Sequence, residues 1–556
     1  MRAPRALSRA AAGGLPMNPE NPFDWSNPYP SVRTPVFARN AVATSHPLAV
    51  GAGLRALAAG GNAVDAAVAA AAAIALVEPC SNGLGSDLFA LVWNEGRLHG
   101  LNASGPAPAA WTPEYFAQRY PDAHARPMRG WDTVTVPGAV GGWSALHGRF
   151  GRLPFEQALA PAVEIAERGF AVSPITQEKW RRGAALLADQ PGFAEHFMPR
   201  GRAPQVGEHV VVPGAAQSLR SIARTRGESF YRGEIAQALV QFCAATGGAL
   251  SLADLAEYQP DWVEPISTGF QGWELHEIPP NGQGIAALMC LGILRHTELA
   301  GYAVDSPDWT HVGIEAMKIA FADVYAHVAD PRAMRVTAAQ MLDDGYLRAR
   351  AAQIDMRRAR QWRSALPGRG GTVYLACADE RGMMVSLIQS NYMGFGSGVV
   401  VPGWGVSLHN RGHSFTLDPL HPNRVGPGKR PFHTIIPGFL TRAGEPVMAF
   451  GVMGGNMQPQ GQVQTLCRML VAAQQPQAAC DAPRWKWNQG LEVELEPAIG
   501  AQCCAELERR GHRIVQPDDS YMDFGSGQFI WRLGDPWREG YVAASDSRRD
   551  GQAGGF

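Results

Sequence analysis

Gly370-Gly371-Thr372-Val373-Tyr374-Leu375-Ala376, about two-thirds of the way along a 556-residue chain, sets two glycines before a threonine that opens an apolar, strand-like run. Two readings compete. Locally this is a loop entering a buried strand, because glycines punctuate and Thr, Val and Tyr favour pleated backbone. Alternatively the chain cuts its own Gly371–Thr372 bond. Thr372 would then hold a hydroxyl and a free amine on one residue, a nucleophile carrying its own general base.

Working outward, Asp379-Glu380-Arg381-Gly382 reads as a hairpin loop between strands over residues 372–378 and 383–389. Downstream, strands are predicted at 405–408, 434–440, 447–452, 491–495, 513–515 and 528–532, with a helix over 460–474. Upstream the chain is mostly helical. Pro47 starts a helix that ends at Gly60-Gly61, and Asn62 caps another over 63–77. Further helices are expected at 155–168, 215–224, 233–246, 285–294 and 310–327, and strands at 41–45, 88–93 and 133–136. Hairpin-paired strands flanked by helices suggest an α+β sandwich of two sheets between helical layers.

Composition excludes several classes. Charged residues are 18%, hydrophobic ones 46% and the net charge is −1, so the chain is globular and has no long-range field for nucleic acid or anionic membrane. The longest apolar run, 66–77, is too short to span a bilayer. The eight cysteines are scattered with no Cys-x-x-Cys, as expected of reduced, buried thiols. Residues 1–16 are rich in Arg and Ala but lack a signal peptide's apolar core, and the expected location is cytoplasmic. The glycine loop Cys80–Asp87 follows a helix and precedes a strand, the wrong order for a dinucleotide site. No zincin, phosphate-loop or Gly-x-Ser-x-Gly pattern occurs. His409 and His413 stand four apart with no third ligand placed, so neither a metal nor a cofactor is expected. Residues 416–428 read as either a lid or a rigid surface loop, and Trp485 and Trp487 as core.

From about residue 35 to 545 the chain resembles the gamma-glutamyltransferase family of N-terminal nucleophile hydrolases. The resemblance rests on Gly60-Gly61-Asn62-Ala63-Val64-Asp65-Ala66-Ala67, Trp262-Val263-Glu264-Pro265-Ile266, Pro279-Pro280-Asn281-Gly282-Gln283-Gly284 and Glu315 to Asp323. It continues through the Thr372 strand, Ser390-Asn391, Gly394-Phe395-Gly396-Ser397-Gly398, Gly426 to Pro431 and Gly454-Gly455. It implies an αββα fold, and a precursor that cleaves itself into a large segment, 35–371, and a small one, 372–556, behind an irregular arm, 1–34. The two would form one compact unit. It also implies a glutathione hydrolase-like amide hydrolase or acyltransferase with a small-molecule amide substrate. A homo-oligomer is compatible with it.

By the same resemblance Thr372 is the nucleophile, and the Gly454 and Gly455 amides form the oxyanion hole. Asn391 contacts substrate, and Gln389 stands where the family has a threonine supporting the nucleophile. The recognition segments depart from the family. Ser104-Gly105-Pro106-Ala107-Pro108 lacks the arginine that typically holds a glutamyl carboxylate. In Leu408-His409-Asn410-Arg411-Gly412-His413-Ser414, Ser414 replaces the aspartate for the α-amine, and Arg411 replaces a glutamine. His433 and Thr434 replace two serines. An α-ammonium would therefore meet no carboxylate, whereas Arg411 could fork onto a substrate carboxylate. That favours a non-glutamyl acid, as in relatives acting on oxamate or on β-lactam acyl groups. Arg411 in a surface or interface ion pair, and an unprocessed non-catalytic protein, remain the rival readings.

Overall fold

The computed structural model describes residues 33–122, 127–362, 371–515, 517 and 524–556. The leader, nearly all of the arm and Gly370 lie outside the described residues.

Two seven-stranded sheets face each other. The first runs, in spatial order, Gln552–Gly555, Ala41–Thr44, Gly371–Ala378, Met384–Tyr392, Asp87–Asn94, Arg97–Ala103 and Asp261–Val263. The second runs Val36–Ala38, Tyr541–Ser545, Ser526–Arg532, Glu445–Met453, Gly438–Arg442, Trp273–Glu277 and Ile266–Phe270. All pairings in both sheets are antiparallel. Each sheet mixes strands from before and after Gly371.

Side-chain alternation sorts the strand Gly371–Ala378 between two cores. Val373, Leu375 and Cys377 pack beneath the helix Ala63–Val77, while Tyr374, Ala376 and Ala378 fill the seam between the sheets. Thr372 is in phase with Tyr374, so period two aims its hydroxyl into the seam. Helices Pro47–Ala58, Ala63–Val77 and Phe155–Arg168 cover the first sheet; Gly284–Leu294, Pro307–His327 and Met457–Leu470 cover the second. The layers are αββα.

Local signals explain the helix ends. Asn62 accepts from the Val64 and Asp65 amides and Asp65 returns a bond to the Asn62 amide, a capping box worth about 1 kcal/mol. Alanines make the helix thin enough to be buried on all sides. The helix Phe155–Arg168 closes at Gly169, whose φ of 82° suits glycine.

Three strand expectations need correction. Residues 133–136 are not a strand: the Val134 amide closes a tight turn on Trp131, and that of Val136 bonds the Pro106 carbonyl. In 434–440 the strand begins only at Gly438. Before it, the His433 carbonyl accepts from the Gln283 amide, the Thr434 carbonyl from the Gln283 side chain, and the Ile436 amide bonds Gln458. Those backbone groups are committed elsewhere and cannot join a ladder. Of 405–408 only Val406–Ser407 forms a strand, paired with Val400–Val401, and Leu408 makes a single bridge to Gly85.

Candidate active site

Thr372 is buried one residue into its strand. Val373 pairs with Gln389, which sets Ser390 opposite Thr372 on the seam face. The two hydroxyl oxygens are 3.0 Å apart. Ser390 Oγ donates to the Gly371 carbonyl at 2.7 Å and accepts from the Tyr392 amide at 2.8 Å. A serine has one hydrogen to give, so with that proton on Gly371 the Thr372 hydroxyl donates to Ser390. Gln458 Nε2 approaches Thr372 Oγ1 from the second sheet's helix at 3.4 Å. One serine oxygen thus touches both the threonine hydroxyl and the carbonyl of the preceding peptide bond.

Gln389 points the other way, away from Thr372 and from the supporting position that the resemblance implies. Its Nε2 donates to the Ala71 carbonyl at 2.8 Å and to Asn82 Oδ1 at 2.5 Å, and its Oε1 accepts from Trp143 Nε1 at 3.1 Å. It is locked into the helical layer. Register counted back from the Asp379–Gly382 turn finds Ser390. Counting from Asn391 does not, because an extra residue enters the ladder between Ser390 and Tyr392. Asn391 itself is buried, accepts from Ser86 Oγ at 2.8 Å, and leaves Nδ2 without a partner among the described residues.

Gly454 and Gly455 join the strand Glu445–Met453 to the helix Met457–Leu470 with φ of 127° and 61°. A Cβ on Gly454 would stand 3.0 Å from Gly525 Cα. Among the described residues neither amide N–H finds an acceptor. Gln283 Nε2 bonds both the Thr434 carbonyl, at 2.6 Å, and the Gly455 carbonyl, at 2.9 Å. The Pro-Asn-Gly-Gln-Gly turn is therefore a bracket that ties the glycine corner to the segment carrying His433 and Thr434.

Beside this uncharged half lies a charged one. Arg411 is fully buried, which rules out the surface ion pair. Its guanidinium lies 4.3 Å from the Tyr392 ring centroid, donates to Thr434 Oγ1 at 2.8 Å and reaches Ser390 Oγ at 3.4 Å. Its Nε faces Asp87 Oδ2 at 3.8 Å. Asp87 was not singled out in the sequence, and nothing local could have done so: the first sheet delivers it from residue 87 as the neighbour of Ser390 in register. It supplies a carboxylate where the sequence had suggested none. His433 Nε2 sits 2.9 Å from Asp87 Oδ2, and His409 Nε2 3.5 Å from Oδ1. The Ile435 amide donates to His433 Nδ1 and the Arg411 amide to His409 Nδ1, so both rings carry their proton on Nε2, toward Asp87.

Burial dominates the electrostatics. It lifts the Asp87 carboxyl to about 7 against the opposing pull of Arg411. It holds His433 far below the usual imidazole range and His409 at about 3, with Arg411 adding to both shifts. Arg411 falls to about 10 through burial, partly offset by Asp87, and stays charged at neutral pH.

The remaining candidates resolve simply. His409 and His413 diverge, the latter bonding the Pro127 carbonyl. The 416–428 loop is cross-linked: Thr416 and Val425 pair with it from both ends, Asn423 bonds Ser414 and Phe432, and Lys429 bonds the Pro422 and Arg424 carbonyls. Trp485 and Trp487 are core, and the cysteines are free. His311, Glu315 and His512 bring ligand atoms within 4.8 Å of one another. However, His311 Nδ1 and His512 Nε2 already share a hydrogen bond, and Lys318 holds Glu315 at 2.6 Å, so the facing lone pairs are spent.

A family model described as Gamma-glutamyltranspeptidase matches residues 49–556. The chain is 34% identical over 524 residues to the "Glutathione hydrolase-like YwrD proenzyme" of Bacillus subtilis, covering 93% of this chain and 98% of that one. It is 36% identical over 527 residues to the "Oxamate amidohydrolase proenzyme" of Klebsiella pneumoniae, covering 92% and 97%. A solved cephalosporin acylase from Bacillus halodurans is 47% identical, with a TM-score of 0.91 over 96% of this chain and 99% of that one. Among the described residues no helix is long and apolar enough to cross a membrane.

Proposed function

The chain belongs to the gamma-glutamyltranspeptidase family, and on that premise we propose that Thr372 is the nucleophile of an amide hydrolase or acyltransferase that it creates by cutting the Gly371–Thr372 bond. The single observation carrying this is Ser390 Oγ, shared between Thr372 Oγ1 and the Gly371 carbonyl.

In the precursor Thr372 Oγ1 attacks the Gly371 carbonyl carbon. Ser390, already donating to that oxygen, meets the charge that develops on it. The Thr372 nitrogen leaves, protonated, and water hydrolyses the ester, giving segments 1–371 and 372–556. The freed amine then takes the hydroxyl proton, directly or through a water, as Oγ1 attacks a substrate amide. The Gly454 and Gly455 N–H groups stabilise the oxyanion, each donor being worth about 3 kcal/mol. The substrate amine departs, and water or an acceptor amine releases the acyl group.

For the substrate, the buried Arg411 beside Ser390 favours an acyl group bearing a carboxylate over a zwitterionic γ-glutamyl head. The oxamate amidohydrolase and cephalosporin acylase relatives support that preference.

Mass spectrometry of the purified protein tests the first reading: two segments ending and starting at 371 and 372 are expected, and an intact chain with intact Thr372 would refute it. Turnover of oxamate, glutaryl amides and a γ-glutamyl anilide tests the second. Ordinary turnover of the anilide alone would remove Arg411 from substrate recognition.

A further inference from the structure

Arg411 lies between two claimants. Its terminal nitrogens face Thr434 and Ser390, on the nucleophile's side. Its Nε, buried and without a hydrogen-bond partner among the described residues, faces Asp87 at 3.8 Å. The Asp87 oxygen nearest to it is bonded instead to His433. The carboxylate is close enough to balance the guanidinium's charge, yet it does not close the bond.

We propose that Asp87 is a specificity-determining residue, the resident rival of the substrate's carboxylate for Arg411, and that an anionic acyl group binds by letting Asp87 take up a proton from solvent. The inference rests on the reading of Arg411 given above.

With Asp87 ionised, an arriving carboxylate makes two negative charges against one positive charge beside two fully buried side chains. With Asp87 protonated, the count is one against one, and the substrate stays ionised throughout. No other facing group supplies that proton between pH 6 and 9. His433 and His409 stay neutral, and Arg411 stays charged. Arg430 pulls on Asp87 from farther off, and Tyr231 and Tyr258 are held neutral by burial. The Gly105 amide donates to Asp87 Oδ1 at 3.3 Å and does not titrate in this range. Asp87, lifted to about 7, is the group that changes. The sign follows: a carboxylate ligand binds best below that pH and weakens about tenfold per unit above it, while an uncharged acyl group shows no such slope.

The test is calorimetry on the self-cleaved protein with oxalate and glutarate as probes, from pH 6.5 to 8.5, in buffers of different ionisation enthalpy. Net proton uptake is expected at pH 8, with a Kd about fivefold above that at pH 7. Asp87→Asn, which keeps the shape, should bind both acids more tightly at pH 8 than the parent and take up no proton. A flat Kd without proton uptake in the parent overturns the proposal even if the variant fails to fold, and so does an Asp87→Asn protein that keeps the slope. If neither acid binds, or Arg411→Gln binds them as well as the parent, the carboxylate reading of Arg411 fails and takes this inference with it. Binding lost in Arg411→Gln but pH-independent in the parent refutes Asp87 alone.

Discussion

The seam between the two sheets holds two neighbouring half-sites built on opposite principles. The nucleophile half, Thr372, Ser390, Gly371 and Gln458, contains only hydroxyl, carbonyl and amide groups. The recognition half, Asp87, His409, Arg411 and His433, is a buried set of ionisable groups. Both hang on the strand Met384–Tyr392, and Ser390 and Tyr392 touch both halves. The difference separates two tasks. A hydroxyl activated by an amine made on demand requires no buried charge until the peptide bond is cut. Discrimination among acyl groups needs fixed charge, and fixed buried charge must carry its own counter-ion.

Substitutions can break that division, beginning with the largest effect. Thr372→Ala should leave one intact chain on a denaturing gel and lower amide turnover by about 10⁴-fold or more. Fragments at the same position in this variant would show that another residue cuts. Arg411→Ala removes the cation that opposes the burial of Asp87, so at pH 8 the carboxyl must take up a proton on folding, and urea unfolding there should register a loss of about 1–3 kcal/mol. Adding Asp87→Asn to the same chain should recover more than half of it. Equal stability of the single and double variants would mean the two charges are not coupled. Gly454→Ala forces a side chain onto a φ of 127° at the glycine corner, and kcat should drop about 100-fold with KM little changed. Unchanged kcat would move the oxyanion donors elsewhere.

The sharpest contrast is between adjacent residues. Gln389→Ala should cost about 1–3 kcal/mol of stability by stranding buried polar partners, while kcat stays put. Ser390→Ala should cost a similar amount of stability, because the buried Tyr392 amide loses its acceptor, but should also slow self-cleavage about tenfold or more, with fragments appearing over time after denaturation and refolding. The opposite pattern in the two variants would invert the register assigned to the strand.

Much of the fold was legible where the signal is local. Asn62, Gly169 and the Pro47 start mark helix ends through hydrogen bonds within a few residues, and those helices form as read. The alternation after Thr372 and the Asp379–Gly382 turn placed the central hairpin. The 434–440 segment misled because Thr434 and its β-branched neighbours favour strand, yet their backbone groups are claimed by Gln283 and Gln458.

The site divides along the same line. Sequence alone marked Thr372, the glycine pair and Arg411, because each stands in a short motif whose residues are chain neighbours. Which of Gln389 and Ser390 meets the nucleophile depended on one ladder register. That Arg411 has a carboxylate partner depended on a strand that begins at Asp87, 324 positions earlier, lying beside Met384–Tyr392. Electrostatic pairing acts through space over a few ångströms and leaves no trace in spacing along the chain. The proposed nucleophile was therefore legible in the sequence, and the charge balance beside it was settled by packing.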